Sequence, residues 1–216
     1  QPDILAEVVL QDVGCTLPQI SSPFKGINGK ISLTPAQVTI ENIVGNLDSG
    51  RFEVNGEAIL DKFRPQKVRM ELTARQLPIL IPQTMDMLVN TDLTAEGTGE
   101  RIDIGGDIVI LEGLYYKKVK LNLLQKVAEK RRPSEASPGQ GRQSILAKIF
   151  YDIQLKYREP FIVDNNVAYL EISPDLKISG TMAAPVISGI AKVQEGTLTY
   201  RNKKFVVERG IISFVN

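Results

Sequence analysis

The 216-residue chain sets 26 Lys and Arg against 25 Asp and Glu, a net charge of +1, so no overall field selects nucleic acid or another charged partner. It has no His, no Trp and one Cys, Cys15, which excludes an internal disulfide, a His/Cys metal site and any Ser-His or Cys-His catalytic pair. Its length allows one large β domain with a real core or two small ones. These residues contain no apolar run long enough for a membrane helix.

In chain order, the apolar-rich stretch 4–11 predicts a strand ended by Asp12-Val13-Gly14. Residues 15–24 contain Pro18 and Pro23 and read as irregular or edge, since proline cannot donate to a ladder. Short strands follow over 29–33, 37–43, 51–60 and 67–75. Phe52, Val54, Ala58 and Leu60 alternate with Arg51, Glu53, Asn55 and Glu57, and Val68, Met70, Leu72 and Ala74 alternate with charged or polar neighbours. Each of these strands therefore has one dry and one wet face. The stretch Leu77-Pro-Ile-Leu-Ile-Pro82 breaks the rhythm, and residues 82–89 read as a short helix begun at a proline.

Alternation resumes over 91–97, 100–111 and 115–123. Ile102, Ile104, Ile108 and Ile110 oppose Asp103 and Asp107, and Gly105-Gly106 marks an expected kink or bulge. Leu124, Val127 and Ala128 allow a short helix. The polar run through Lys130-Arg131-Arg132-Pro133 to Gly141 has nothing to bury, so 124–143 reads as a flexible loop. Ile153, Leu155 and Tyr157 then alternate with Asp152, Gln154, Lys156 and Arg158. Further strands are expected over 161–164, 168–172, 176–180 and 186–193. The tail from Gly196 reads as a three-strand meander, 197–201, 205–208 and 211–215, turned at Asn202-Lys203-Lys204 and at Arg209-Gly210. Leu198 and Tyr200 share the dry face of its first strand. No helix–strand alternation supports a parallel α/β fold.

Candidate chemistry is sparse. Ser22-Pro-Phe-Lys25 matches Ser-x-x-Lys but lacks the Ser-Asp-Asn and Lys-Thr-Gly companions of penicillin-recognising enzymes. Gly97-Thr-Gly99 and Gly139-Gln-Gly141 lack the third glycine and the strand-to-helix setting of a phosphate loop. Asp103 and Asp107, four residues apart on one strand, lie about 13 Å from each other, too far for a paired acid and base. They read as solvated outer-face charges. The basic residues Lys126, Lys130, Arg131, Arg132 and Arg142 lack interleaved aromatics, so nucleic acid is not expected.

The collective feature outweighs any single residue. About a dozen strands spaced about 4.8 Å apart form a sheet about 60 Å long, with roughly thirty apolar side chains on one face. Leaving that face in water would cost tens of kcal/mol, at about 1.5–3 kcal/mol per side chain. Something must cover it: a sandwich or barrel closed on itself, or a folded-over sheet around an apolar trough that holds lipid.

The tail phrase Gly196-x-Leu-x-Tyr200, Phe205-x-Val207, Gly210-x-Ile-x-Phe214 resembles the C-terminal domain of the TamB family of the bacterial envelope, related to AsmA-like bridge-type lipid-transfer proteins. Leu176-Lys-Ile-Ser-Gly-Thr181 with Pro185-Val-Ile-Ser-Gly-Ile190, and Ile27-Asn-Gly-Lys-Ile-Ser-Leu33 with Ile43-x-Gly45 and Gly50 to Gly56, extend the resemblance over most of the chain. It implies an all-β fold, a long, curved, folded-over sheet (a β-taco) with an apolar groove. It also implies a periplasmic part of a Gram-negative protein anchored in the inner membrane, without cofactor or reaction. The implied partners are phospholipid, an Omp85-type outer-membrane barrel (TamA-like), and the inner membrane through a segment outside these residues. Residues 1–216 are then expected to be a single groove domain, a fragment of a longer protein. The groove lining expected is Phe52, Val54, Val68, Met70, Leu72, Ile102, Ile104, Ile108, Ile110, Ile153, Leu155, Leu198 and Tyr200. The rival role is a scaffold that assembles outer-membrane β-barrel proteins by β-augmentation of its edge.

Overall fold

A computed structural model describes residues 6–17, 21–62, 64–119, 146–201 and 203–215. Alternating apolar and polar residues build β1 (Ala6–Cys15), β2 (Phe24–Leu33), β3 (Gln37–Leu47), β4 (Gly50–Asp61), β5 (Arg64–Ile81), β6 (Met85–Gly97) and β7 (Ile102–Tyr115). β8 (Ile149–Tyr157), β9 (Phe161–Asp164), β10 (Ala168–Thr181), β11 (Ala184–Tyr200), β12 (Lys203–Val207) and β13 (Gly210–Phe214) complete them. All join one curved, mixed sheet in the order β1-β2-β3-β4-β5-β6-β7-β8-β10-β11-β12, with β9 between β7 and β10 and β13 on β11. Among the described residues β1 pairs only with β2, and β12 and β13 pair only with β11. Two edges stay open, so the sheet is not a closed barrel.

Up to β7 the sheet is a run of antiparallel neighbours. β8 and β9 then lie parallel to β7. The pair behaves as one interrupted strand. β8 takes the Ile102–Ile110 part of β7 and β9 takes Leu114–Tyr115. On the other flank both pair with β10, leaving Ser173–Asp175 between them without a partner on that side. Pro174 sits in that gap, where a missing N–H breaks no ladder bond.

Several sequence expectations change. Residues 82–89 are not a helix. Pro82–Thr84 form a turn closed by Thr84 N–H to the Ile81 carbonyl at 3.0 Å, and Met85–Val89 pair with Leu77–Ile81. The unpaired flank of β5 beyond β4 offered a ladder, and Met85, Met87 and Val89 fit its two-residue period. Stretches 168–172 and 176–180 fuse into β10, and 186–193 and 197–201 into β11, with a register shift that leaves Gln194 unpaired. The tail is no meander. β12 and β13 lie in line along β11, pairing with Gly196–Tyr200 and Gly189–Val193, so Arg209-Gly210 interrupts one return strand and does not reverse the chain.

Gly105-Gly106 carries no bulge, since register runs unbroken from Ile102 to Ile110. The shift falls after Ile110. Gly106 is glycine for another reason. Its φ is +128°, and a Cβ there would stand 2.2 Å from the Asp92 carbonyl oxygen. Asp12-Val13-Gly14 lie within β1, past a register shift, and do not end it. The strand expected over 115–123 ends at Tyr115, after which Tyr116 N–H bonds the Thr84 carbonyl at 3.0 Å. Residues 120–145, with the expected helix at Leu124 and the 124–143 loop, lie outside the described residues, as does Asn202.

Candidate functional site

Partners facing each other across a ladder project to the same side of the sheet, so register assigns every residue a face. One row runs Val8, Ile31, Ile40, Gly56, Met70, Ala95, Ile104 and Tyr151 from β1 to β8. The next runs Ile43, Val54, Leu72, Leu93, Gly106, Ile153, Ile178 and Ile187 from β3 to β11. A third holds Phe52, Ala74, Thr91, Ile108, Leu155 and Leu176, and ends at Phe214 on β13. One face is apolar across the whole sheet.

All thirteen residues expected from the sequence fall on this face. Ile110 joins it through Val89, and Val68 and Ile102 through Gly97. Leu198 stands opposite Ala168 on the same side as Leu176, and Tyr200 follows two residues on. Ile31, Ile40, Leu93, Tyr151, Ile178 and Ile187 belong there too, and their alternation with polar neighbours was the available signal. The core sits here as well. Of the nine apolar residues buried among the described residues, Leu47, Ala74, Val89, Ile110, Ile153, Leu170, Ala191 and Val193 point this way. Neighbouring side chains and the curl of the sheet cover them, for the described strands form no second sheet. Along β11 burial ends abruptly, from 0% exposed at Ala191 and 7% at Val193 to 41% at Leu198 and 47% at Tyr200.

The glycines of the site have specific work. At Gly45 a Cβ would meet the Phe52 ring at 2.5 Å, so Phe52 lies flat over β3 and makes an edge contact with Phe24, centroids 5.6 Å apart. Leu47 beneath is fully buried. Ser22 donates its hydroxyl to Asp48 at 2.7 Å and fastens the β3–β4 turn, a structural task for the serine of the Ser-x-x-Lys match. Gly97 and Gly99 lie at the β6–β7 turn, with Gly99 N–H on the Pro65 carbonyl. Gly139-Gln-Gly141 and the basic residues from Lys126 to Arg142 fall outside the described residues.

The opposite face is wet and laced with cross-strand ion pairs: Arg69 with Glu96, Arg75 with Asp92, Lys156 with Asp107 and Lys177 with Asp152. Asp103 and Asp107 are no acid–base couple, since each has its own cation, Arg101 at 2.6 Å and Lys156 at 2.7 Å. The Arg101 hydrogen bond lowers the Asp103 pKa; desolvation opposes it, and the Arg101 charge adds a smaller lowering. Arg101 also lies over the Phe150 ring at 4.1 Å, shielding an aromatic that faces outward. Among the described residues no group of three metal-binding side chains occurs, and no helix is long and apolar enough to cross a membrane.

The TamB C-terminal domain family matches residues 41–216, from the middle of β3 to the end. The chain belongs to the TamB family. That span takes in the tail phrase and Leu176–Gly189, whereas the Ile27–Leu33 phrase of β2 precedes it. Membership makes this TamB chain part of a cell-envelope protein. No curated protein and no solved structure matches it.

Proposed function

We propose that this TamB chain is a non-enzymatic lipid-binding groove, carrying phospholipid acyl chains between inner and outer membrane and so supporting outer-membrane biogenesis. The supporting observation is one apolar face running from edge to edge of a curved sheet, with no second layer over it among the described residues. Each methylene moved from water onto that face contributes about 0.8 kcal/mol, so a chain is held without any polar contact and can slide. Such transport needs no reaction centre. The ion-paired outer face keeps the wall soluble in the periplasm. An Omp85-type barrel of the TamA kind would take the outer-membrane end, and the inner membrane would be reached through a segment outside these residues.

Mass spectrometry of the chain purified without detergent tests the reading. Phospholipid is expected to co-purify with the wild type and to be lost with Ile104→Arg in the trough. A lipid-free wild type, or equal lipid on both, counts against it.

A second reading, a scaffold for outer-membrane strands, draws on the edge. β12 and β13 are apolar on both faces, with Phe205 and Phe214 on the trough side and Val206, 78% exposed, on the other. An open edge of that kind can accept an added strand. Crosslinks from Val206 to protein and not to lipid would favour it.

A further inference from the structure

The wet face loses its character around the β5–β6 turn. There the sequence is apolar at both parities. Leu77, Ile79 and Ile81 continue the trough, which turns Pro78 and Leu80 outward. Register sets Pro78 beside Leu88, and Leu80 in line with Asp86, Leu114 and Ile162. Pro160, in the link between β8 and β9, closes the far side of a cleft of about 560 Å³. Three carboxylates also line it, Asp86, Glu112 and Glu159. Among the described residues none of the three has an ion-pair partner, whereas Asp92, Glu96, Asp103 and Asp107 on the same face all do. Asp86 accepts a hydrogen bond from the Tyr116 hydroxyl at 3.0 Å. Desolvation of that phenol, with the Asp86 hydrogen bond and charge beside it, raises its pKa, so it stays a neutral donor.

We propose that this outward cleft docks a basic polypeptide segment, whose apolar side chains enter among Leu80, Leu88 and Leu114 while its Lys or Arg residues meet Asp86, Glu112 and Glu159. The volume suits one or two anchor side chains. The charge decides the class. An anionic lipid surface is repelled by three carboxylates, and an uncharged apolar segment would strip them of water with nothing in return. A cation beside each supplies the compensation that the rest of this face has internally. The cleft lies on the side away from the trough, so it stands independently of the lipid reading.

The test is fluorescence anisotropy of a labelled peptide alternating leucine and lysine, titrated with the full 216-residue chain. Saturable binding is expected, weakened by added salt and weakened about tenfold by Glu112→Gln combined with Glu159→Gln. Leu88→Lys is expected to weaken it further, and Ile104→Arg in the trough to leave it unchanged. Glu112 and Glu159 are exposed, so their double variant answers the question even where Leu88→Lys does not fold. The proposal is overturned by absence of binding, by binding that the double variant leaves intact, by loss with Ile104→Arg, or by equal binding of a leucine–glutamate peptide.

Discussion

The middle of the sheet, β3 to β8, and its C-terminal edge, β12 and β13, are made of similar residues arranged to different ends. In the middle the faces are segregated: apolar side chains on one side, and Arg69, Arg75, Lys156 and their carboxylates on the other. At the edge Phe205, Val206, Ile211, Ile212 and Phe214 occupy both faces, all exposed, and no ion pair is present among the described residues. The middle is a finished wall that needs only its trough filled. The edge is a surface that contact on either side would stabilise. Stability and interaction should therefore separate along the chain.

The widest separation is expected from aspartate substitutions. Ile153→Asp buries a charge in the middle and should cost about 4 kcal/mol, read as a lower urea midpoint. Val206→Asp at the edge should stay within about 0.5 kcal/mol. A large loss at Val206 would erase the distinction. Truncation comes next: Leu47→Ala empties a fully buried site and should cost about 3 kcal/mol, against about 1 kcal/mol for Leu198→Ala, by the same measurement.

Glycine offers a backbone version of the contrast. Gly106→Ala forces a side chain against the Asp92 carbonyl at positive φ and should cost about 2 kcal/mol. Gly210→Ala, whose nearest neighbour would be Val193 at 3.6 Å, should change the thermal midpoint little. The smallest effect concerns pH. The Asp103 pKa is lowered by Arg101, so its contribution is present above the unfolded value and is lost as pH falls through the folded one. Asp103→Asn should flatten the acid side of the stability profile slightly, and salt should mask the difference.

The trough was legible because it rests on a period of two. Phe52 and Val54, Val68 to Leu72, and Ile102 to Ile110 announce their face without knowledge of the partner strand. What stayed hidden depends on partners. Arg209-Gly210 carries the residues of a turn, yet β11 is long enough to pair with both flanking segments, so they lie in line. Leu77 to Ile81 is apolar at every position, so local alternation could not tell its two faces apart. The outward cleft arises from that ambiguity. The bulge between Ala74 and Leu77, with Gln76 at φ +51°, swaps the parity of β5, and nothing in a Gln announces it. The parallel β7–β8 pairing depends on which strands become neighbours, which periodicity does not encode.

The central claim is that the apolar side of the sheet is an uncovered trough that takes lipid. Photo-crosslinking residues placed at Ile104, Leu155, Asp103 and Lys156 test it most directly, two on each face. Capture of phospholipid from Ile104 and Leu155 but not from Asp103 and Lys156 is the predicted result; equal capture from both faces, or none from the first pair, would contradict it.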